Sequence, residues 1–308
     1  MSLSIVIVNY NSEELLKNCL DSIFRSTLKD IEVIVVDNSP NHSRLITALS
    51  QYPQIKQINS DFNSGFGRAN NLGAKIADKD FLLFLNPDII LNIDTLEICL
   101  SEFKLNKKAG ILACQLKFEN YEIQESRSYN IFNLNSVLIK SSLYTKYFKR
   151  KIIKGPIESL TGCFLLTSKD IFNNVNGFDP DFFMYSEEFD LCQRIKKLDK
   201  ELLFIETVSC IHIGGGTIEN NFWSEKQKIV SHYLFLYKHK GFCYYLLIIL
   251  IDLFVHISNF IISPFIRKKE RSNNALNAFS FYSSLKYIIS IPFLFKRRLG
   301  ESKRLLKI

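Results

Sequence analysis

An α/β fold with a doubly wound, mostly parallel sheet is what the sequence predicts, on three observations. Short continuous apolar runs recur through the N-terminal third of the chain, helical periodicity fills the intervals, and several runs end in a polar cluster. A run that is apolar at every position, not at alternate ones, marks a strand buried on both faces. In such sheets a ligand sits beyond the carboxyl ends of the strands, so the polar clusters are where chemistry is expected.

The first run, Ser4–Val8, ends at Asn9-Tyr10-Asn11-Ser12. Ser12 is a candidate N-cap, and Leu15, Leu16, Cys19, Leu20 and Ile23 follow at helical spacing. Ile31–Val36 is the second strand and ends at Asp37-Asn38-Ser39-Pro40; a short helix over Leu45–Leu49 and a third strand over Ile55–Ile58 come next. Phe81–Leu85 is a further strand, closed by Asn86-Pro87-Asp88. No internal repeat and no low-complexity segment interrupts this order.

The composition fits one large domain plus an appendage. The 308 residues are 47% hydrophobic and 23% charged, which excludes a disordered chain. The net charge of +8 is unevenly spread: from Ser224 onward there are 15 Lys/Arg against 4 Asp/Glu, which leaves the preceding part at −3. The seven cysteines form no CxxC pair, and reduced, structural thiols in a cytosolic setting are expected. Met1-Ser2-Leu3-Ser4 carries no positive charge ahead of the first apolar run, so no signal peptide is expected.

Beyond about Asn221 the character changes. Phe242–Ile266 is strongly apolar but broken by Asp252, His256, Ser258, Asn259 and Pro264. Arg267-Lys268-Lys269 follows it, and Lys296-Arg297-Arg298 follows a second apolar run, Tyr287–Phe295. The polar breaks and basic flanks favour helices lying in a membrane interface over a span. A helical subdomain with solvated basic residues is the alternative.

Several clusters can carry chemistry. A carboxylate at the end of a strand, as Asp88 is, can hold Mg²⁺ or Mn²⁺ against a diphosphate; an Asx-Pro turn is the plain reading. Asp37 can accept a hydrogen bond from a base or ribose, or simply cap the next helix. Asn63 to Gly73 is a Gly/Asn-rich loop running into a helix, which suits close backbone approach to a phosphate, though no Gly-Lys-Ser/Thr makes it a P-loop. Glu187, Glu188 and Asp190 crowd the start of a helix; adjacent carboxylates raise one another's pKa, which suits a general base, although the helix dipole also favours acids there. His212 precedes the triplet Gly214-Gly215-Gly216.

In order, the segments SIVIVNYNS, VIVVDNS, NSGFGRANNLG, FLLFLNPD, TGCFLLTSKDIFNNVNGFDPDFFMYSEEFDLCQR and HIGGGT resemble glycosyltransferase family 2, of GT-A fold. The resemblance runs from Ser4 to about Tyr237 and is nearest to the bacterial rhamnosyltransferase-like subgroup of surface polysaccharide synthesis. It implies that Tyr10, Asp37 and Asn38 frame the nucleotide base and that Asn63, Gly65 and Asn70 shape the nucleotide-sugar pocket. Asn86-Pro87-Asp88 corresponds to the family's DxD motif, with Asp88 as metal ligand and Asn86 beside the donor. Glu187-Glu188 matches a Glu-Asp pair whose second member is the base, here Glu188 and one methylene longer. His212 matches a position near metal and diphosphate, and Thr217 stands where Ser is usual.

The resemblance therefore implies an inverting transferase with a domain over 1–220, and the apolar runs with basic flanks make 221–308 a helical, membrane-associating extension. The donor would be a nucleoside-diphosphate sugar, rhamnose among the sugars the subgroup moves. The acceptor would be a saccharide or a polyprenyl-diphosphate-linked one, with Mg²⁺ or Mn²⁺ as cofactor. The expected location is cytoplasmic, peripheral on the inner face of the cell membrane, with no nucleic-acid partner. Two rivals are a catalytically inactive sugar-nucleotide-binding subunit and a sugar-nucleotide nucleotidylyltransferase. The second expects a Gly-rich, Arg-containing loop after the first strand, where Asn9-Tyr10-Asn11-Ser12 stands instead.

Overall fold

The computed structural model describes residues 2–129, 131, 155–214, 222–265, 268–300 and 304–308. Gly215–Thr217 of the glycine motif and Arg267 of the first basic cluster lie outside the described residues.

The chain opens β1 (Ser2–Asn9), α1 (Glu13–Phe24), β2 (Asp30–Asp37), α2 (Ser43–Leu49), β3 (Lys56–Asn59), α3 (Phe66–Ile76) and β4 (Phe81–Leu85). β5 (Ile89–Leu91), α4 (Thr95–Leu105), β6 (Ala109–Lys117) and the short β7 (Ile123–Gln124) and β8 (Arg127–Tyr129) follow. Then come β9 (Ile157–Leu160), β10 (Phe164–Ser168), α5 (Lys169–Asn174), α6 (Glu187–Lys196) and β11 (Glu201–His212). The main sheet runs β3-β2-β1-β4-β10-β6-β11-β5. Its first four strands are mutually parallel, as the continuous apolar runs predict. β10 enters antiparallel between β4 and β6, pairing Phe164 with Leu85, so parallel pairing is concentrated in the first half.

Alternation along β1 shows why its run is apolar throughout. Leu3, Ile5 and Ile7 pack on one face with Leu16, Leu20 and Leu100, while Val6 faces Ile34, Phe84 and Phe178 on the other. Ser12 stands at the N-cap of α1 without capping it through its side chain; its hydroxyl donates to Asn9 Oδ1 at 2.8 Å instead.

The C-terminal part is helical: α7 (Phe222–Lys240), α8 (Phe242–Ile262), a 3₁₀ turn at Ser263–Phe265, and α9 (Lys268–Leu294). These helices build a third core around Tyr233, Leu234, Tyr245 and Ile288, into which Phe182 from the segment before α6 inserts. Buried ions join α7 to that segment. Lys238 Nζ lies 2.7 Å from both Asp179 Oδ2 and Asp181 Oδ2, and His239 Nε2 lies 2.8 Å from Asp190 Oδ1.

α8 is turned inside out. Its polar residues Asp252, His256, Ser258 and Asn259 are buried. Its exposed face is apolar: Leu250 is 64% exposed, Phe254 69% and Phe260 80%. A water-facing helix has the reverse pattern. Lys268, Lys269, Lys296, Arg297 and Arg298 are all exposed.

Candidate active site

The polar ends of β1, β2 and β4 converge on a cleft of about 260 Å³. Tyr10, Asn38, Asn63, Gly65 and Asn86 line one part of it, and Glu187 and Glu188 another. Residues from distant parts of the sequence meet there because the parallel strands end at one edge.

Asn38 holds the Gly/Asn loop in place. Its Nδ2 donates to Gly65 O at 3.1 Å, and Ser64 Oγ donates to its Oδ1 at 3.1 Å. Gly65 has φ +82°, and a Cβ there would lie 2.1 Å from Phe183 O. Both facts demand glycine. The same Phe183 carbonyl accepts from Phe66 N at 2.9 Å, so the loop is pinned to the segment leading into α6.

Two of the residues expected in the donor pocket lie behind its wall. Asp37 is fully buried: its Oδ1 accepts from Asn9 Nδ2 at 3.0 Å and Ser39 N at 3.1 Å, and its Oδ2 lies 2.7 Å from His42 Nδ1. Asn70 is buried on α3, where its Nδ2 donates to Phe66 O at 3.1 Å. His42, which the sequence reading passed over, sits at the N-cap of α2, so Asp37 braces that helix through its ring.

Asp88 and His212 are brought together by the pairing of β5 with β11, which sets His212 opposite Ile89. His212 Nε2 lies 3.3 Å from Asp88 Oδ2, while Asp88 Oδ1 is buried with no hydrogen-bond partner. On the other side of the ring, Nδ1 lies 2.8 Å from Gln124 Oε1. Donation from Nδ1 to Gln124 leaves the Nε2 lone pair facing Asp88. An unpartnered carboxylate oxygen beside an imidazole lone pair fits a divalent cation. Among the described residues no third His, Cys, Asp or Glu completes a cage. That suits a hard ion that takes its remaining oxygens from phosphate and water.

Glu187 and Glu188 open α6. Tyr185 and Ser186, just before it, both have positive φ, 67° and 65°. Two successive non-glycine residues in the left-handed region are strained, and they set the direction in which the helix starts. Glu188 is partly accessible from the cleft, and burial pushes its carboxyl up to about 7 against opposing hydrogen bonds from its own and the Ser186 backbone. Glu187 is more deeply buried, and burial followed by repulsion from Glu188 pushes it well up. Asp190 behaves oppositely: burial alone would raise it, but Arg194 and His239 bring it down to about 2. The three acids therefore divide into two raised carboxyls lining the cleft and a lowered one, Asp190, tied to Arg194 and His239.

Cys163 connects the two halves of the site. It lines the cleft, its Sγ is 3.6 Å from His212 Nε2, and Asn86 Nδ2 reaches it at 3.4 Å. Burial, then Asp88, then Glu188 all raise its thiol pKa, so both carboxylates are within electrostatic reach of one residue. Thr161, Gly162 and Cys163, which carry no role expected from the sequence, all line the cleft, as do Met184 and Tyr185.

A family model described as glycosyl transferase family 2 matches residues 4–175. The rhamnosyltransferase WbbL of Escherichia coli (strain K12) is 28% identical over 225 residues, covering 68% of this chain and 82% of that one. The N-acetylglucosaminyl-diphospho-decaprenol L-rhamnosyltransferase of Mycobacterium tuberculosis is 24% identical over 231 residues, covering 68% and 75%. Among solved structures, the mannosyltransferase PcManGT from Pyrobaculum calidifontis, in complex with GDP-Man and Mn²⁺, superposes with TM-score 0.57 at 12% identity, covering 95% of this chain and 86% of that one. TarS residues 1–349 of S. aureus superpose with TM-score 0.53 at 16% identity, covering 94% and 81%. At these identities the structural likeness speaks for the fold.

Proposed function

This chain belongs to glycosyl transferase family 2, and from that premise we propose that it moves a sugar, rhamnose first among the candidates, from a nucleoside-diphosphate donor to a lipid-linked saccharide. It is a glycosyltransferase of GT-A fold; the donor, acceptor, metal and site roles are our reading. The observation that carries the reading is Glu188: a cleft-facing carboxyl with its pKa raised to about 7, within reach of the residue that also touches the Asp88–His212 pair. The relatives named above supply the sugar and the lipid carrier as candidates.

In this reading Tyr10, Asn38, Asn63, Gly65 and Asn86 receive the nucleotide-sugar, and Asp37 and Asn70 support them from behind. Asp88 and His212 would hold Mg²⁺ or Mn²⁺, which when bound offsets charge on the leaving diphosphate. Glu188 takes the proton of an acceptor hydroxyl onto its carboxylate. The freed oxygen forms a bond to the anomeric carbon while the bond from that carbon to the diphosphate breaks, and the nucleoside diphosphate leaves on the opposite face. Configuration is inverted. Burial keeps Glu188 from ionising early in the acid range.

We divide the chain into a catalytic unit over 1–220 and an extension over 221–308 that rests on the cytoplasmic face of the membrane. The apolar outer face of α8 and the exposed basic clusters support that placement. The deciding experiment is to incubate purified protein and Mn²⁺ with dTDP-rhamnose, UDP-glucose, UDP-N-acetylglucosamine and GDP-mannose, with and without polyprenyl-diphosphate-N-acetylglucosamine. Nucleoside diphosphate release that rises with acceptor, with a glycosylated lipid as product, is expected. Release of nucleoside monophosphate, or none with any donor, would sink the reading.

A further inference from the structure

His212 stands between two acceptors with one hydrogen to give. A neutral imidazole carries a single N–H and a single lone pair. Gln124 Oε1 lies 2.8 Å from Nδ1, and Asp88 Oδ2 lies 3.3 Å from Nε2. When Nδ1 donates to Gln124, Nε2 keeps its lone pair beside Asp88. When Nε2 donates to Asp88, a hydrogen occupies the place a cation would need. Gln124 and Asp88 thus compete for the one donor of the ring, and the shorter contact is to Gln124.

The sheet sets up this competition. Leu116 of β6 pairs with Gln124 of β7 and also with Cys210 of β11, two residues before His212. The backbone of β7 is fixed at this residue. Gln124 O accepts from Gln115 Nε2 at 3.0 Å and from Ser126 Oγ at 3.0 Å, and both donors are buried. Gln115 Nε2 also donates to Leu116 O at 2.8 Å, and Leu116 N donates to Ser126 Oγ at 3.2 Å, so the two clamps are tied to β6 as well.

The opposite side of the ring agrees. Asn86 Nδ2 donates to Cys163 Sγ at 3.4 Å, which leaves the thiol hydrogen for His212 Nε2, 3.6 Å away. A thiol donating there needs a lone pair on Nε2, the state that donation to Gln124 produces. As an amide, Gln124 supplies its acceptor without adding charge to the site. We infer that Gln124 is a positioning residue for the cation: it holds His212 as the Nδ1–H tautomer, so that Nε2 meets the metal without first giving up a proton. The inference rests on the reading of Asp88 and His212 as the ligands of the metal. Outer partners of ligating histidines are typically worth about 10–100-fold in metal affinity.

Two measurements on the full, metal-free chain test it. Long-range proton–nitrogen NMR correlation on histidine-labelled protein reads the tautomer, with His212 assigned by the loss of its signals in His212→Phe. Mn²⁺ binding, with UDP or dTDP present, is read from the free-ion EPR signal. The wild type is expected to show Nδ1–H. Gln124→Met, similar in length but without the acceptor, should shift the ring toward Nε2–H and weaken Mn²⁺ binding by about 10–100-fold. Gln124→Glu keeps an acceptor and should keep Nδ1 protonated, with Mn²⁺ affinity within a few-fold of wild type. Nε2–H in the wild type, or wild-type Mn²⁺ affinity in Gln124→Met, overturns the inference. Equal loss of affinity in both variants also overturns it, because the side chain then only fills space. If the wild type binds no Mn²⁺ yet the tautomer follows the residue at 124, the hold on His212 stands and the metal reading falls.

Discussion

Glu188 is held where its ionised form is disfavoured, and this has two opposite consequences. If Glu188 is the base we propose, it acts as the carboxylate, so transfer is expected to rise with pH through about 7. Stability runs the other way. The folded carboxyl titrates above its unfolded value of 4.5, so its favourable contribution is complete below 4.5 and is lost as pH rises through about 7. Glu188→Gln is therefore expected to cut transfer by ~10²-fold or more. The same variant should be more stable than the wild type at pH 8, by up to about 3 kcal/mol, with the difference vanishing near pH 5. Thermal melts at the two pH values check this; a destabilised Gln variant at pH 8 would remove the argument. Glu187→Gln should be the milder mutant in transfer. Asp88 carries a different expectation. Its Oδ1 has no partner and its Oδ2 has only the His212 ring at 3.3 Å, so Asp88→Ala should shift the melting temperature little while abolishing transfer. EDTA should abolish it likewise, and Mn²⁺ or Mg²⁺ should restore it; undiminished turnover in EDTA would dissociate Asp88 from any metal.

At the scale of elements, the strands were legible and their partners were not. β1 and β2 read clearly because burial leaves Ile5–Val8 and Val33–Val36 without a polar position. β10 opens on an apolar Phe164-Leu165-Leu166, yet nothing in it announces that the strand enters antiparallel between β4 and β6. The site residues at strand ends were legible for the same reason as the strands. Cys163, Tyr185 and His42 were not, because their roles come from what folds against them. The hinge between β3 and α3 offers a test. Gly65→Ala places a methyl against the Phe183 carbonyl at positive φ, and it should lower the melting temperature and raise the donor KM together. Wild-type values for both would show that the loop is not pinned. The seam between α6 and α7 offers another. Lys238→Met leaves Asp179 and Asp181 buried without their cation, at an expected cost of about 3–5 kcal/mol in urea denaturation.

For the whole molecule, the inverted pattern of α8 is the main asymmetry. Composition revealed an apolar segment with polar breaks; it could not reveal that the breaks face inward, because that depends on what α7 and α9 present to them. Phe242–Phe265 is long and apolar enough to cross a bilayer, but a crossing would put buried Asp252, the acceptor of the Tyr233 hydroxyl, at membrane depth. Lying in the interface keeps the apolar face in lipid and Asp252 in protein. The chain should therefore sediment with anionic vesicles, less so at high salt, at about 1 kcal/mol per basic residue near the surface. Leu250→Ser with Phe254→Ser should weaken binding to neutral and anionic vesicles alike while leaving donor hydrolysis intact. No sedimentation with either vesicle would return the helices to an ordinary packed subdomain.

The distribution of sulfur turns that question into a spectroscopic one. Six of the seven cysteines are buried and Cys243 alone is exposed, one residue into α8. Helical spacing puts Cys243 on the same stripe as Leu247, Leu250, Phe254, Ile257 and Ile261, all exposed. A maleimide dye added to the native protein will thus find a single address without any engineered background. A blue-shifted emission on mixing with vesicles, quenched by lipids brominated along their tails, would measure how deep that stripe sits.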